Sequence, residues 1–304
     1  MKILITGSSG YVASNLISSL KYEKIDIHTV SSTKRDVSKK HFFIKKNASQ
    51  KLWDNLLESN SFDCIVHLAA QVPDSSIAND KHTYFHANYE NTKKIADAAF
   101  KAGVKKFIFM SSVFVHGNSS NFGPIKEDDP FDPKNFYAES KAMAEKYLIK
   151  NFFHSKMKVI IIRTPMIYGK GAGGNWGALI KLAKSPLPVP FKNFKKNKRN
   201  FLYIENLVDF IKYIITNQVK SNTYLVADHC TLSTQSFFTL IRQAFSKPAR
   251  SFYFPFLNFF LRNLNKSTYL KLSSSLEIST KKATKELNWK PKYQTAEAIK
   301  KSLL

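Results

Sequence analysis

Acidic residues are scarce in this chain: 22 Asp and Glu stand against 47 Lys and Arg, a formal charge of +25 over 304 residues. Such a balance raises nucleic acid, an anionic membrane surface or anionic small molecules as partners. The lysines, however, are dispersed in pairs such as Lys39-Lys40, Lys45-Lys46, Lys105-Lys106, Lys195-Lys196 and Lys281-Lys282. No arginine-rich arm, zinc-finger spacing or aromatic RNA-binding motif accompanies them. The reading is no nucleic acid, with most of the charge as solvated surface. Cysteine is nearly missing too. Cys64 and Cys230 make no disulfide framework, and their spacing fits no metal site. No apolar run is long enough to span a bilayer, so stable membrane insertion is not expected. Met1 to Gly7 runs from a short apolar stretch straight into a glycine turn, unlike a secretory leader, and a reducing cytoplasm is the expectation.

What is present suffices for a large core: 43% apolar residues, with 25 Phe and 13 Tyr. The length suits one large domain, or one with a smaller appendage. Lys2 to Thr6 reads as a buried parallel strand, uninterrupted and apolar. Gly7-Ser8-Ser9-Gly10-Tyr11-Val12-Ala13 follows, then an amphipathic helix over 15–20. Strand, glycine turn and helix form the context of a dinucleotide fingerprint, with Gly7 for the tight turn and Gly10 for approach of backbone amides to a pyrophosphate. Ala13 supplies the small residue that close helix–strand packing demands. A second strand, 25–30, ends at Ser31-Ser32-Thr33-Lys34-Arg35, where an acid would mark NAD. Hydroxyls and cations suit a 2′-phosphate, so NADP(H) is favoured, with NAD(H) as the alternative.

Further strands are expected at 42–44, 63–70, 107–110, 159–162 and 223–226, with helices over 80–101 and 205–217. Repeated alternation of strand and helix gives an α/β fold: a doubly wound parallel sheet with a smaller C-terminal substrate-binding lobe. The expected dinucleotide-binding domain is 1–165, with 200–227 returning to it, and the lobe is 166–199 and 228–304. His67 is expected to be a packed or hydrogen-bonded strand residue. The aromatic stretch from Phe252 to Arg262 is expected as core or subunit contact, with peripheral membrane contact left open.

The chemistry gathers at 107–141. A strand ends in Ser111-Ser112, and Tyr137-Ala138-Glu139-Ser140-Lys141 follows. Tyr and Lys four apart share a helix face. An ammonium beside a phenol favours phenolate, so the expectation is a Tyr137 pKa lowered towards neutrality. Tyr137 could then exchange a proton with a substrate hydroxyl while a hydride moves to or from a nicotinamide, with Ser112 holding the same oxygen.

Taken together, these motifs resemble the extended short-chain dehydrogenase/reductase family, in its nucleotide-sugar branch. The resemblance runs from Lys2 to about Tyr293. It includes Thr6 to Ala13, His67-Leu68-Ala69-Ala70, Asn88 to Thr92, Ser111 to Gly117, Tyr137 to Lys141, Arg163-Thr164-Pro165 to Tyr168-Gly169, Arg199 to Val208, and Glu286 to Pro291. It implies a catalytic trio of Ser112, Tyr137 and Lys141. It also implies cofactor contacts from Gly7, Ser9, Gly10, Tyr11, Val12, Ser31, Ser32, Lys34, Arg35, Asn47, Ala48, Leu68, Ala69, Ala70, Asn88, Ser111 and Thr164, besides Tyr137 and Lys141. Substrate contacts are implied for Val72, Ser112, Val113, Tyr137, Asn175 and Arg199, the last two on a nucleotide diphosphate, with no metal. His116 departs from the usual Tyr before Gly117.

Within the family, 4,6-dehydratases carry an Asp-Glu pair just after the catalytic hydroxyl, and decarboxylases a Glu at the second position. Here those positions are Val113 and Phe114, so both reactions are disfavoured. Reductases that epimerise at carbons 3 and 5 need an active-site Cys, and neither Cys lies near this loop. The resemblance therefore implies NAD(P)H-dependent reduction at C4 of a UDP-4-keto-6-deoxy-hexosamine in bacterial surface-polysaccharide synthesis. The alternative is an NAD-dependent 4-epimerase of UDP-glucose or UDP-N-acetylglucosamine, and behind it a non-catalytic NAD(P)-binding module. The implied partners are a UDP-sugar and a second copy of the chain, the homodimer pairing helices 80–101 and 137–151.

Overall fold

The computed structural model describes residues 1–33, 40–73, 80–120 and 123–303. Lys34 and Arg35, expected to meet a cofactor phosphate, lie outside the described residues.

The chain begins β1 (Lys2–Thr6), α1 (Tyr11–Leu20), β2 (Asp26–Ser31), β3 (His41–Phe43), α2 (Gln50–Glu58) and β4 (Cys64–His67). Next come α3 (Lys81–Phe85), a π-helical turn (His86–Glu90), α4 (Asn91–Lys101), β5 (Lys106–Ser112), α5 (Phe136–Phe152) and β6 (Lys158–Thr164). After them lie β7 (Met166–Tyr168), α6 (Gly174–Lys184), β8 (Arg199–Tyr203), α7 (Ile204–Thr216), β9 (Asn222–Leu225) and β10 (Thr231–Leu232). Helices α8 (Thr234–Ala244), α9 (Leu257–Leu264), α10 (Lys266–Ser273), α11 (Lys281–Leu287) and α12 (Thr295–Lys301) complete the described chain.

Two compact units result. The first comprises Met1–Val115, Pro130–Thr164 and Val208–Tyr224, and the second His116–Asp129, Pro165–Leu207 and Leu225–Leu304. The seven-stranded sheet runs in the order β3-β2-β1-β4-β5-β6-β9, with parallel pairing from β3 through β6. This is the doubly wound α/β architecture, and its order reverses between β1 and β4, the switch point beside which such sheets bind ligands. The central strands β1, β4, β5 and β6 are buried on both faces, which is why they read as apolar runs. On one face Leu4, Ile65, Phe107, Phe109, Val159 and Ile161 pack with residues of α2, α4 and α5, including Trp53, Ile95 and Leu148.

The units differ from the sequence expectation at 116–129, 165, 200–207 and 225–227, which all belong to the second. There β8 lies between β7 and β10, and the Ser120 and Ile125 amides donate to the carbonyls of Ser275 and Glu277. An aromatic cluster of Tyr168, Trp176, Phe201, Tyr203 and Phe237 fills this unit. Under it, buried Asp228 accepts from the Tyr168 hydroxyl (2.8 Å), the Tyr203 amide (3.0 Å) and the Asn206 amide (2.8 Å).

Of the two expectations for Phe252 to Arg262, core or subunit contact, the first is corrected. Helix α9 contains no buried residue, and Phe256 and Phe259 are 65% and 67% exposed. Aromatic content marks a segment as apolar but does not say which neighbours cover it.

Among the described residues, no helix is long and apolar enough to cross a membrane, and no three His, Cys, Asp or Glu side chains are grouped to hold a metal.

Candidate active site

The site in the first unit is built where α5 crosses the ends of β5 and β6. Asn135 caps α5, its side-chain oxygen accepting from the Ala138 amide at 2.9 Å. This starts the helix so that Tyr137, Lys141 and Glu145, four apart, share one face. Tyr137 lies near enough to the Ser112 side chain for that hydroxyl to favour its phenolate, and the Ser112 oxygen accepts from the Phe114 amide at 3.3 Å. The Lys141 ammonium donates to the Met110 carbonyl at 2.7 Å and lies 4.5 Å from the centroid of the Phe109 ring. The trio expected from sequence is therefore gathered at one strand end.

Its electrostatics correct one expectation. Burial pushes the Tyr137 phenol up to about 12, although the Ser112 hydroxyl acts in the other direction. Burial likewise lowers Lys141 to about 7, opposed by the Glu145 carboxylate. Desolvation disfavours both charged forms, phenolate and ammonium, and outweighs the attraction that spacing alone suggested. The opposite shifts carry the two groups apart, to about 12 and about 7, and leave Tyr137 a protonated phenol at neutral pH, able to donate a proton.

Beneath the trio lies a buried ion pair. Arg163 Nε donates to both Glu145 carboxylate oxygens at 3.1 and 3.0 Å, and Nη2 donates at 2.6 Å. Ser111 donates to the same carboxylate. Both charged residues are almost fully buried. They fasten α5 to β5 and β6, in whose register Ser112 lies opposite Thr164.

A second network spans the strand ends. The Ala69 amide donates to Thr6 Oγ1 (3.4 Å), which meets His67 Nδ1 (2.7 Å); His67 Nε2 meets Thr92 Oγ1 (2.9 Å), and that hydroxyl donates to the Asn88 carbonyl (2.7 Å). Because Thr92 spends its proton on Asn88, His67 donates from Nε2 and accepts at Nδ1. Burial drives the His67 pKa down to about 3, so the ring stays neutral. His67 is thus a hydrogen-bonded strand residue, as expected. The π-helical turn aims the Asn88 side chain inward, where it bonds both backbone groups of Gln71 (2.8 and 3.0 Å) and the Ser140 hydroxyl (3.0 Å).

Between the ends of β1, β2 and β4 opens a cleft of about 840 Å³ including its mouth. Its walls include the predicted Gly7, Ser9, Gly10, Ser31, Ser32, Leu68, Ala69 and Ala70. Gly7 holds a positive φ of 71°, and a Cβ there would come within 2.6 Å of the Ala69 backbone. Gly10 stands at the N-cap of α1, followed by Tyr11 and Val12. Among the described residues the buried Ser8 hydroxyl has no partner. The close backbone approach, the helix N-terminus and the free hydroxyl fit a dinucleotide pyrophosphate.

Asn47 and Ala48 do not line this cleft; Lys45, Lys46 and Trp53 do, together with Gln71, Ala87, Asn91 and Ile95. Those seven wall residues escaped the sequence reading, as did Glu145, and the lysine pair directly before Asn47 was their one visible signal. Ser111, Thr164 and Val113 are buried, Val113 completely, and Val72 is exposed. In the second unit, Asn175 is exposed in the first turn of α6. Arg199 donates to the Ser274 carbonyl (2.8 Å) and hydroxyl (3.2 Å), and burial lowers its pKa to about 10. His116 is buried in the same unit.

Residues 3–227 match the family model described as the NAD dependent epimerase/dehydratase family. The chain belongs to that family. It is 32% identical to a UDP-glucose 4-epimerase of Vibrio cholerae, over 99% of this chain and 94% of that protein. It is 27% identical to a dTDP-D-glucose 4,6-dehydratase of Mus musculus, over 99% and 87%. The crystal structure of a UDP-glucose 4-epimerase with UDP-glucose from Thermotoga Maritima superposes with a TM-score of 0.81 at 19% identity, covering 100% of this chain and 97% of that one. Members of the extended short-chain dehydrogenase/reductase branch share this fold, and the chain is an enzyme of that NAD-dependent kind.

Proposed function

We propose that this chain is a nucleotide-sugar 4-epimerase that retains NAD and interconverts the two C4 configurations of a UDP-hexose. The observation that carries this reading is a proton-transfer trio whose Ser112 is followed by Val113 and Phe114, two side chains that exchange no proton. Ser112 would hold the C4 oxygen while Tyr137 in its phenolate form, which the positive charge of a bound nicotinamide would favour against burial, accepts its proton. A bound nicotinamide would supply the redox chemistry, taking up the C4 hydride and giving it back to the opposite face of the 4-keto sugar. Tyr137 then gives the proton back to the 4-keto oxygen on the product side, and no water is eliminated. Lys141 supports Tyr137 through their shared helix face. Asn175 and Arg199 are proposed for the diphosphate, Arg199 as a planar, permanently charged donor. Cytoplasmic action and a homodimer through 80–101 and 137–151 belong to the same reading.

The family's NAD dependence and the relative from Vibrio cholerae support an epimerase over the reductase favoured by sequence. One observation keeps the reductase as a second reading: no acid follows β2 until Asp36, and Lys45 and Lys46 line the cleft, a charge suited to NADP(H). Denaturing freshly purified protein and identifying the released cofactor by mass spectrometry separates the two. Stoichiometric NAD, with interconversion of UDP-glucose and UDP-galactose or of their N-acetyl counterparts, supports the epimerase. Tyr137→Phe should then lower turnover by about 10²–10⁴-fold. A cofactor-free protein that consumes NADPH with a UDP-4-keto-6-deoxy sugar would replace the epimerase by the reductase.

A further inference from the structure

The second unit carries a surface that the proposed reaction does not use. Tyr253, Phe256, Phe259 and Leu264 are 62, 65, 67 and 82% exposed, and Phe252, Phe254 and Phe260 are exposed as well. Soluble monomers rarely leave so many large apolar side chains together. The patch is held in place rather than loose. Phe252 exchanges backbone hydrogen bonds with Val189 and Lys192. The Asn193 side-chain amide clasps Phe254, donating to its carbonyl at 2.8 Å and accepting from its amide at 2.9 Å. Phe260 lies against both Phe254 and Phe259, with ring centroids 6.4 and 5.9 Å away. In α9 the exposed aromatics lie between Leu257 and Leu261, which are partly covered.

The charge around this patch is of one sign. From Cys230 to Leu276 the chain has no Asp or Glu, and none from Lys146 to Ile204. Exposed Arg250, Arg262, Lys266 and Lys271 accompany the aromatics, and exposed Lys192 and Lys195 flank the Asn193 clasp. Aromatic and leucine side chains with a cationic fringe and no acid match the interface of a bilayer with negatively charged headgroups, where rings enter the acyl boundary and cations meet phosphates. A helix this short cannot span a membrane.

We propose that the segment from Phe252 to Lys271, with Lys192 and Lys195, is a peripheral docking surface for an anionic lipid bilayer. The test uses the full chain at physiological ionic strength. Co-flotation is measured with vesicles of equal parts phosphatidylglycerol and phosphatidylcholine, and with phosphatidylcholine alone. The expected result is flotation with the anionic vesicles only. It should fall at least tenfold in Phe256→Ser/Phe259→Ser and in Arg262→Glu/Lys266→Glu, while circular dichroism and thermal midpoint stay unchanged. The native tryptophans, Trp53, Trp176 and Trp289, are buried, so Phe259→Trp adds an exposed reporter whose emission should shift blue on binding. No flotation, equal flotation with neutral vesicles, or undiminished binding by the double variants would each overturn the proposal. So would a dimer in sedimentation equilibrium that Phe256→Ser/Phe259→Ser dissolves while vesicles go unbound, since a second copy would then be the occupant.

Discussion

Glu145→Gln tests how the catalytic helix is held. In the folded chain Glu145 accepts three contacts from Arg163 between 2.6 and 3.1 Å and one from Ser111, with neither charge reaching solvent. Neutralising one side leaves a buried guanidinium without its counter-charge, which costs about 3–5 kcal/mol. At about 2 °C per kcal/mol for a chain of this size, the thermal midpoint should fall by about 6–10 °C. Removing both charges in Glu145→Leu/Arg163→Met should cost much less, about 1–2 kcal/mol, mainly for the Ser111 hydroxyl left unpaired. Urea unfolding of the two single variants and the pair gives the coupling energy directly. A second readout concerns charge. The Glu145 carboxylate raises the Lys141 pKa against burial, so in Glu145→Gln any loss of activity that follows Lys141 deprotonation should begin at lower pH. A Glu145→Gln cost below about 1 kcal/mol, or additive single costs, would refute the account of a buried charge pair.

Gly7→Ala should lose cofactor retention and at least about 2 kcal/mol of stability, because the new Cβ meets the Ala69 backbone at 2.6 Å in a residue at positive φ; cofactor content and urea midpoint check both. His67 is neutral in the fold down to about pH 3 but charges near 6.5 when unfolded. The unfolded chain therefore binds the extra proton in that window, and stability present above pH 6.5 should fall by about 1.4 kcal/mol per unit as pH drops towards 3. His67→Gln should flatten that slope in urea titrations at pH 7, 5 and 4. Of the two thiols, Cys230 is exposed while Cys64 is buried and pushed up to about 12. One equivalent should react with a disulfide reagent in the native protein and two in urea, and two fast equivalents without urea would contradict the buried position.

Much of the first unit was readable because its cues are local. Ile3 to Ile5 and Val159 to Ile162 are unbroken apolar runs because both sheet faces are covered, and the Gly7 turn and Tyr137–Lys141 spacing lie within single segments. What escaped depends on register and burial. Glu145 meets Arg163 only because β6 runs beside β5 under α5. Lys45 and Lys46 reach the cleft because β3 returns beside β2. The direction of the Tyr137 shift depends on desolvation, which spacing does not encode. Whether α9 faces inward or outward was left open because its composition is that of a core helix as much as of a contact surface.

The discontinuous first unit has a consequence for synthesis. Strand β9, from Asn222, completes the sheet beside β6. Lys106 caps the end of α7 through the carbonyls of Ile214, Ile215 and Asn217, and the Ser221 hydroxyl accepts from the Val159 amide at 3.1 Å. A nascent chain that has emerged only as far as Thr164 holds the trio and the glycine turn but leaves the apolar β6 edge unpaired. The ribosome must deliver the intervening part of the second unit before that edge can close. Truncations that look sensible from the motifs alone should therefore aggregate, and slow translation through 165–207 would lengthen the interval in which they could.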